Sequence, residues 1–80
     1  MSNTMENPFV TLLRETGFSR VKLAAVLDVS VSVISSLVTG GQRRVGKRLI
    51  EGMNSKGFDG AGIAKAYEEW RKAMGEINRT

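Results

Sequence analysis

The chain has 80 residues, a formal net charge of +4 at pH 7, and neither cysteine nor histidine. This length allows one small hydrophobic core, and the two missing residue types exclude disulfides and thiolate or imidazole metal sites, so we expect no cofactor. No apolar run approaches the roughly 18 residues of a membrane span, and the opening MSNTMENP lacks a basic-then-apolar signal, which predicts a soluble, cytoplasmic protein.

The positive charge is concentrated in the middle of the chain. Residues 20–48 contain six basic side chains and one acid, which gives +5, and the rest of the chain sums to −1. Such a concentration favours a polyanionic partner, nucleic acid before membrane, because no strongly basic amphipathic helix accompanies it. A solvated basic face without any partner is the alternative.

Helix start and stop signals predict two short helices before residue 29. In NPFVTLLRETG, Asn7 is a candidate N-cap, Pro8 takes the first helical position and Gly17 follows the end. A second helix follows Ser19 as N-cap, and residues 1–6 are expected to form a flexible N-terminus. The predicted inward faces consist of Phe9, Leu12 and Leu13 in the first helix and Leu23, Ala24 and Leu27 in the second.

The segment LDVSVSVISSLV, residues 27–38, alternates valine and serine in a way typical of a half-buried strand. The rest of the chain offers no second alternating run with which such a strand could pair. A helix is therefore predicted, with Ser30 as N-cap and Gly40 at its end, held by tertiary packing because valine and serine are middling helix formers. Its core stripe is Ile34, Leu37 and Val38, and its exposed side is Val31, Ser32 and Ser35.

Residues 19–40, SRVKLAAVLDVSVSVISSLVTG, resemble the helix-turn-helix of lambda-repressor/Cro-like (XRE-type) DNA-binding proteins. The residues that match the family pattern are Arg20, Leu23, Ala24, Leu27, Asp28-Val29-Ser30, Ile34-Ser35 and Gly40. Asp28 stands where the family usually has glycine, and aspartate tolerates the left-handed backbone needed at this turn. A weaker resemblance continues in RRVGKRLIEGMNSKGFD, residues 43–59, with a fourth helix about one turn shorter.

The resemblance implies an all-α, lambda-repressor-like compact bundle of about five helices, with residues 7–58 as the DNA-binding domain. The helix after Ser30 would enter the major groove. Expected base contacts come from Val31, Ser32, Ser35, Gln42 and Arg43. Expected phosphate contacts come from Arg20, Lys22, Thr39, Arg44 and Lys47, while Lys22 and Arg48 are alternatively only solvated. Readout through thymine methyl groups and short hydroxyl bonds is expected, and Val31 alternatively covers neighbouring apolar surface.

Residues 59–80 are predicted to form a helix capped by Asp59, with four acids and four bases. Its apolar residues step by 4, 3, 4, 3, a coiled-coil-like seam formed by Ile63, Tyr67, Trp70, Met74 and Ile77. The seam either completes the core, or its distal residues extend past the domain as a homodimer contact formed by Trp70, Met74 and Ile77. A homodimer is expected, because two half-sites multiply the specificity of one small reading helix.

An enzyme has little support, because no histidine or cysteine is present as a base or nucleophile. The expected function is a sequence-specific double-stranded DNA-binding transcriptional regulator, which would be nucleoid-associated in the cytoplasm. More specifically, we expect a small dimeric repressor of phage or mobile-element type that acts on a palindromic operator. Two alternatives stay open. One is an antitoxin-like regulator that binds a protein partner through its C-terminal helix, and the other is an architectural or excisionase-like protein that bends DNA.

Overall fold

Five helices form the described part of the chain, which in this computed structural model is residues 6–78, with side chains described to residue 75. They are α1 (Pro8–Thr16), α2 (Arg20–Leu27), α3 (Val31–Thr39), α4 (Lys47–Ser55) and α5 (Gly60–Asn78). Residues 6–78 contain no strand, so the prediction of an all-α chain with about five helices is confirmed. Residues 1–5, most of the segment predicted to be flexible, lie outside the described residues.

Polar side chains start four of the helices at the predicted positions. Each cap oxygen accepts a backbone N–H of the first turn over 2.9 to 3.3 Å, and the caps are Asn7, Ser19, Ser30 and Asp59. Such bonds satisfy N–H groups that have no partner inside the helix. Helix α4 differs, because its N-cap is Gly46, which has no side-chain acceptor.

Left-handed residues end the first three helices. Gly17 and Gly40 have φ angles of 74° and 82°, a region that glycine occupies without steric cost. Asp28 ends α2 with a φ of 57°, which confirms that aspartate takes the left-handed conformation at this turn. The segment predicted as helix from its Ser30 cap is helical, so the strand interpretation of residues 29–33 is wrong.

One hydrophobic core forms where the helices meet. Its largest fully buried side chains are Phe9, Leu23, Ile34, Leu37, Met53 and Tyr67. The predicted inward stripes of α1, α2 and α3 all reach this core, with Leu13 and Val38 half-buried at its edge. The rings of Phe9 and Tyr67 pack edge to face with centroids 5.5 Å apart, which joins α1 to α5.

Each helix packs mainly on two others. Helix α1 packs on α3 and α5, α2 packs on α3 and α4, and α4 packs on α5. The Cα radius of gyration is 12.5 Å, close to the about 12 Å of a compact chain of this length. Only three residues separate α2 from α3, and the chain direction turns by 119° between them. Within the described residues no single helix is long and apolar enough to cross a bilayer, and α2 and α3 reach that apolarity only as a bent pair.

Candidate nucleic-acid interface

Helix α3 exposes side chains in its first turn and buries its opposite side in the core. Ile34 and Leu37 are fully buried, whereas Val31 is 40% exposed and Ser32 is exposed. Ser35, expected to be exposed as well, is half-buried one turn further along. The helix therefore offers a methyl-bearing side chain and a hydroxyl at its start, groups that can contact a thymine methyl and a base edge.

The loop after α3, residues 40–46, folds back on the helix it follows. The backbone N–H groups of Gly41 and Gln42 both donate to the Ser36 carbonyl, over 2.8 and 3.3 Å. At the end of the loop Val45 is buried in the core. Gln42, expected to read bases, is half-buried. The exposed side chains in the middle of the loop are those of Arg43 and Arg44.

Two side chains of α5, one helical turn apart, bind the backbone of this loop. The Tyr67 hydroxyl donates to the Gln42 carbonyl over 2.6 Å. The Arg71 guanidinium donates through Nε to the Gly40 carbonyl over 3.0 Å and through Nη1 to the Arg43 carbonyl over 3.2 Å. Burial raises the pKa of the Tyr67 phenol above its usual value, so at neutral pH the hydroxyl keeps the proton that it donates.

Neither residue is predicted from the sequence to belong to the site. Tyr67 is predicted only as part of the apolar seam, and its ring is buried, while Arg71 is only one of the balanced charges of the last helix. Their i, i+4 spacing indicated a shared helix face. It did not indicate that this face meets the loop after α3.

The basic side chains predicted to bind phosphate are exposed. They comprise Arg20 and Lys22 in the first turn of α2, Arg44 in the loop, and Lys47 at the start of α4, with Arg48 beside it. No carboxylate of residues 6–75 forms an ion pair with any of them. A cation at a helix N-terminus opposes the helix dipole and lowers helix stability. Arg20 and Lys22 in α2 and Lys47 in α4 occupy such positions, and neither helix has an acid in its first turn to offset them. Both helices thus combine positive charge with free backbone N–H groups, which favours an anionic ligand.

Two of the expected phosphate ligands have partners inside the chain. The Thr39 hydroxyl donates to the Ser35 carbonyl over 3.0 Å, so its single proton is directed at its own helix and not outward. The Lys22 ammonium lies 5.7 Å from the centroid of the Phe18 ring, within the range of a cation–π contact. Thr39 is consequently the weakest candidate of the predicted phosphate ligands.

Trp70 packs against the end of α3 and is half-buried. A Cβ on Gly40 would lie 2.8 Å from the Trp70 ring, and the ring centroid is 5.9 Å from that of Tyr67. This packing fits the alternative in which the seam completes the core, and a dimer contact through the exposed part of Trp70 stays a prediction. Met74 is half-buried and lines a surface cavity of about 240 Å³ together with Trp70. The Ile77 side chain lies outside the described ones, and a homodimer contact at this seam stays a prediction.

The structure separates the predicted DNA contacts into two groups along α3. Val31 and Ser32 lie in its first turn, with Ser35 one turn further along. Gln42 and Arg43, also expected to contact bases, lie in the loop of residues 40–46, which begins at the other end of this nine-residue helix, about 12 Å away along the axis. The loop and the end of α3 are bound to α5, whereas the first turn of α3 is adjacent to the turn from α2. The two groups are therefore held by different neighbours.

Comparison with known proteins returned no relatives. No protein-family model matches this chain, and neither a curated protein nor a solved structure matches it. The contacts and exposures described above are consequently the basis for assigning a function.

Proposed function

We propose that this chain is a sequence-specific double-stranded DNA-binding transcriptional regulator that inserts the first turn of α3 into the major groove. The observation that carries the proposal is the exposure of Val31 and Ser32 on a helix whose other side is buried. Helices α2 and α3 turn by 119° across three residues, within the range typical of a helix-turn-helix. This geometry supports the resemblance to lambda-repressor/Cro-like proteins.

Affinity is assigned to the exposed cations that surround the reading helix in sequence. Arg20, Arg44 and Lys47 form no ion pair with a carboxylate of residues 6–75, so a phosphate does not have to displace such a partner. Each neutralised phosphate releases counterions, and the slope of log K against log salt steepens by about 0.9 per phosphate on B-form DNA. Binding is therefore expected to weaken steeply as salt is added.

Discrimination between sequences is assigned to the first turn of α3. The Val31 methyl groups would contact a thymine methyl, and the Ser32 hydroxyl would form one hydrogen bond with a base edge. Neither side chain can form the bidentate pair that gives about 1–3 kcal/mol of discrimination per base. One reading helix is thus a weak discriminator, which favours a homodimer on two half-sites about 34 Å apart. A dimer of this size would repress by occupying an operator that overlaps a promoter.

Selection of bound sequences from random duplexes tests the proposal. We expect a palindromic site whose half-sites are one helical turn apart. On the selected duplex, fluorescence anisotropy at several salt concentrations should show that Arg44→Gln weakens binding and lowers the salt slope by about 1. Lys65→Gln removes the same charge from an exposed position of α5 and is the matched control, expected to change neither quantity.

Two further variants test the base-reading positions. Val31→Ala and Ser32→Ala are expected to change which duplex is bound most tightly and to leave the salt slope unchanged. Equal weakening on every duplex would contradict the assignment of these residues as readers. Selection that enriches no sequence would contradict sequence-specific binding altogether. Co-purification of a second protein in a stable complex with this chain would support the antitoxin alternative. Bent DNA protected at several phased sites would support the architectural alternative.

A further inference from the structure

We infer that Arg71, with Tyr67, is a positioning residue for DNA binding: it holds residues 40–43 of the loop so that the side chains of Arg43 and Arg44 meet the DNA. The inference rests on the proposed function. The Arg71 guanidinium binds the Gly40 carbonyl at 3.0 Å and the Arg43 carbonyl at 3.2 Å. These bonds join both ends of a four-residue segment to α5, and the arginine side chains themselves stay exposed.

The surroundings of Arg71 form one continuous face of α5. Tyr67, Trp70 and Arg71 occupy positions i, i+3 and i+4, which lie side by side on a helix. Tyr67 binds the Gln42 carbonyl, and the Trp70 ring lies against Gly40. Every residue from 40 to 43 except Gly41 is thus contacted by this face through its backbone, and Gly41 donates to the Ser36 carbonyl within α3.

The chemistry of Arg71 suits this task better than direct phosphate binding. Its side chain is half-buried, and two of its donors already point at carbonyl oxygens. A planar guanidinium can bind two acceptors in fixed directions, whereas an ammonium is a compact point charge. A loop that is ordered before binding loses less conformational entropy when its arginines bind DNA, and this increases affinity without a new contact to DNA.

A double-mutant cycle on the full chain and the selected duplex tests the inference. Arg71→Gln removes both guanidinium bonds to the loop and is expected to weaken binding about tenfold, because the loop then has to be ordered when it binds DNA. In an Arg44→Gln background the same change is expected to weaken binding clearly less, because residues that act through one another are not additive. Lys72→Gln, the exposed neighbour on α5, is the matched control and is expected to be additive with Arg44→Gln.

Arg71→Lys separates positioning from charge. Lysine keeps the charge but not the planar guanidinium that binds two carbonyls, so we expect Arg71→Lys to retain less than half of the binding free energy that Arg71→Gln loses. Full recovery by lysine, or an equal loss for Arg71→Gln in both backgrounds, would overturn the inference while leaving the proposed function intact. A wild-type chain that enriches no duplex in the selection would overturn both the inference and the proposed function.

A DNA-independent measurement completes the test. Backbone order parameters of the free protein should fall at residues 41–44 in Arg71→Gln and stay unchanged in Lys72→Gln. If Arg71→Gln does not fold, Tyr67→Phe replaces it, since this variant removes only the hydroxyl that binds the Gln42 carbonyl. Tyr67→Phe is expected to lower both the order of Gln42 and the affinity for DNA. Unchanged order and affinity in the folded variant would contradict the inference.

Discussion

Replacing Gly40 with alanine tests how Trp70 packs on the end of α3. Gly40 has a φ of 82°, where a residue other than glycine costs about 1–2 kcal/mol. An added Cβ would also lie 2.8 Å from two carbons of the Trp70 ring, well inside the about 3.5–4.0 Å of a favourable carbon contact. The ring has to move, and overpacking of this kind costs about 1–3 kcal/mol. We expect Gly40→Ala to lower the free energy of unfolding by about 2–5 kcal/mol.

Gly17 supplies the matched control. It also ends a helix in the left-handed region, with a φ of 74°, but no atom lies within 4 Å of a Cβ placed there. Gly17→Ala should therefore cost only the about 1–2 kcal/mol of the backbone conformation. The difference between the two variants isolates the contact with Trp70.

Urea unfolding followed by circular dichroism measures both losses. In a Trp70→Leu background the ring is absent, so Gly40→Ala is expected to cost no more than Gly17→Ala does. Equal losses for the two glycine variants in the wild-type background would refute the packing of Trp70 on Gly40. That result would favour the interpretation in which Trp70 extends past the domain to contact a second copy of the chain.

Asn7→Asp keeps the capping oxygen but replaces the amide that donates to the carbonyls of Leu37 at 2.7 Å and Val38 at 3.0 Å, so urea unfolding should show a loss of about 2–3 kcal/mol. A loss no larger than that of an exposed substitution would contradict this role of the amide. Asp28→Gly relieves the backbone strain of a residue with a φ of 57° and is expected to raise the Tm by about 2–6 °C, whereas Asp28→Ala should lower it. The reverse order would show that the carboxylate matters more than the backbone. Because burial raises the pKa of Tyr67 above its ordinary value of about 10, the unfolded chain loses this proton first as the pH rises. The contribution of Tyr67 to stability is thus complete below about pH 10 and declines as the pH rises through the folded pKa. The free energy of unfolding of Tyr67→Phe should therefore decline less at alkaline pH than that of the wild type. Identical curves of unfolding free energy against pH for the two proteins would refute this.

The helices and their ends could be predicted because they depend on chemistry within a few residues. A cap such as Ser19 accepts an N–H three positions away, and Gly17 or Asp28 ends a helix through its own φ preference. The apolar stripes with helical spacing also predicted most of the core, and with it the fold class. At residues 29–33 the valine–serine alternation is typical of a strand, but no second alternating run exists to pair with it, which already predicted a helix. Packing of the partly buried Val29 and Val33 against the core stabilises this segment despite its middling helix propensity.

The sequence by itself thus determined where helices begin and end and which faces are apolar, and only the tertiary structure decided what those faces meet. Asn7 binds the Leu37 carbonyl 30 residues away, and Arg71 binds that of Gly40 at a separation of 31. Every residue carries a backbone carbonyl, so no residue type marks which carbonyl accepts the bond. The packing of α1 on α3, together with the contacts of Trp70 and Arg71 in α5 with Gly40, selects these acceptors, and the loop of residues 40–46 takes its shape from those contacts.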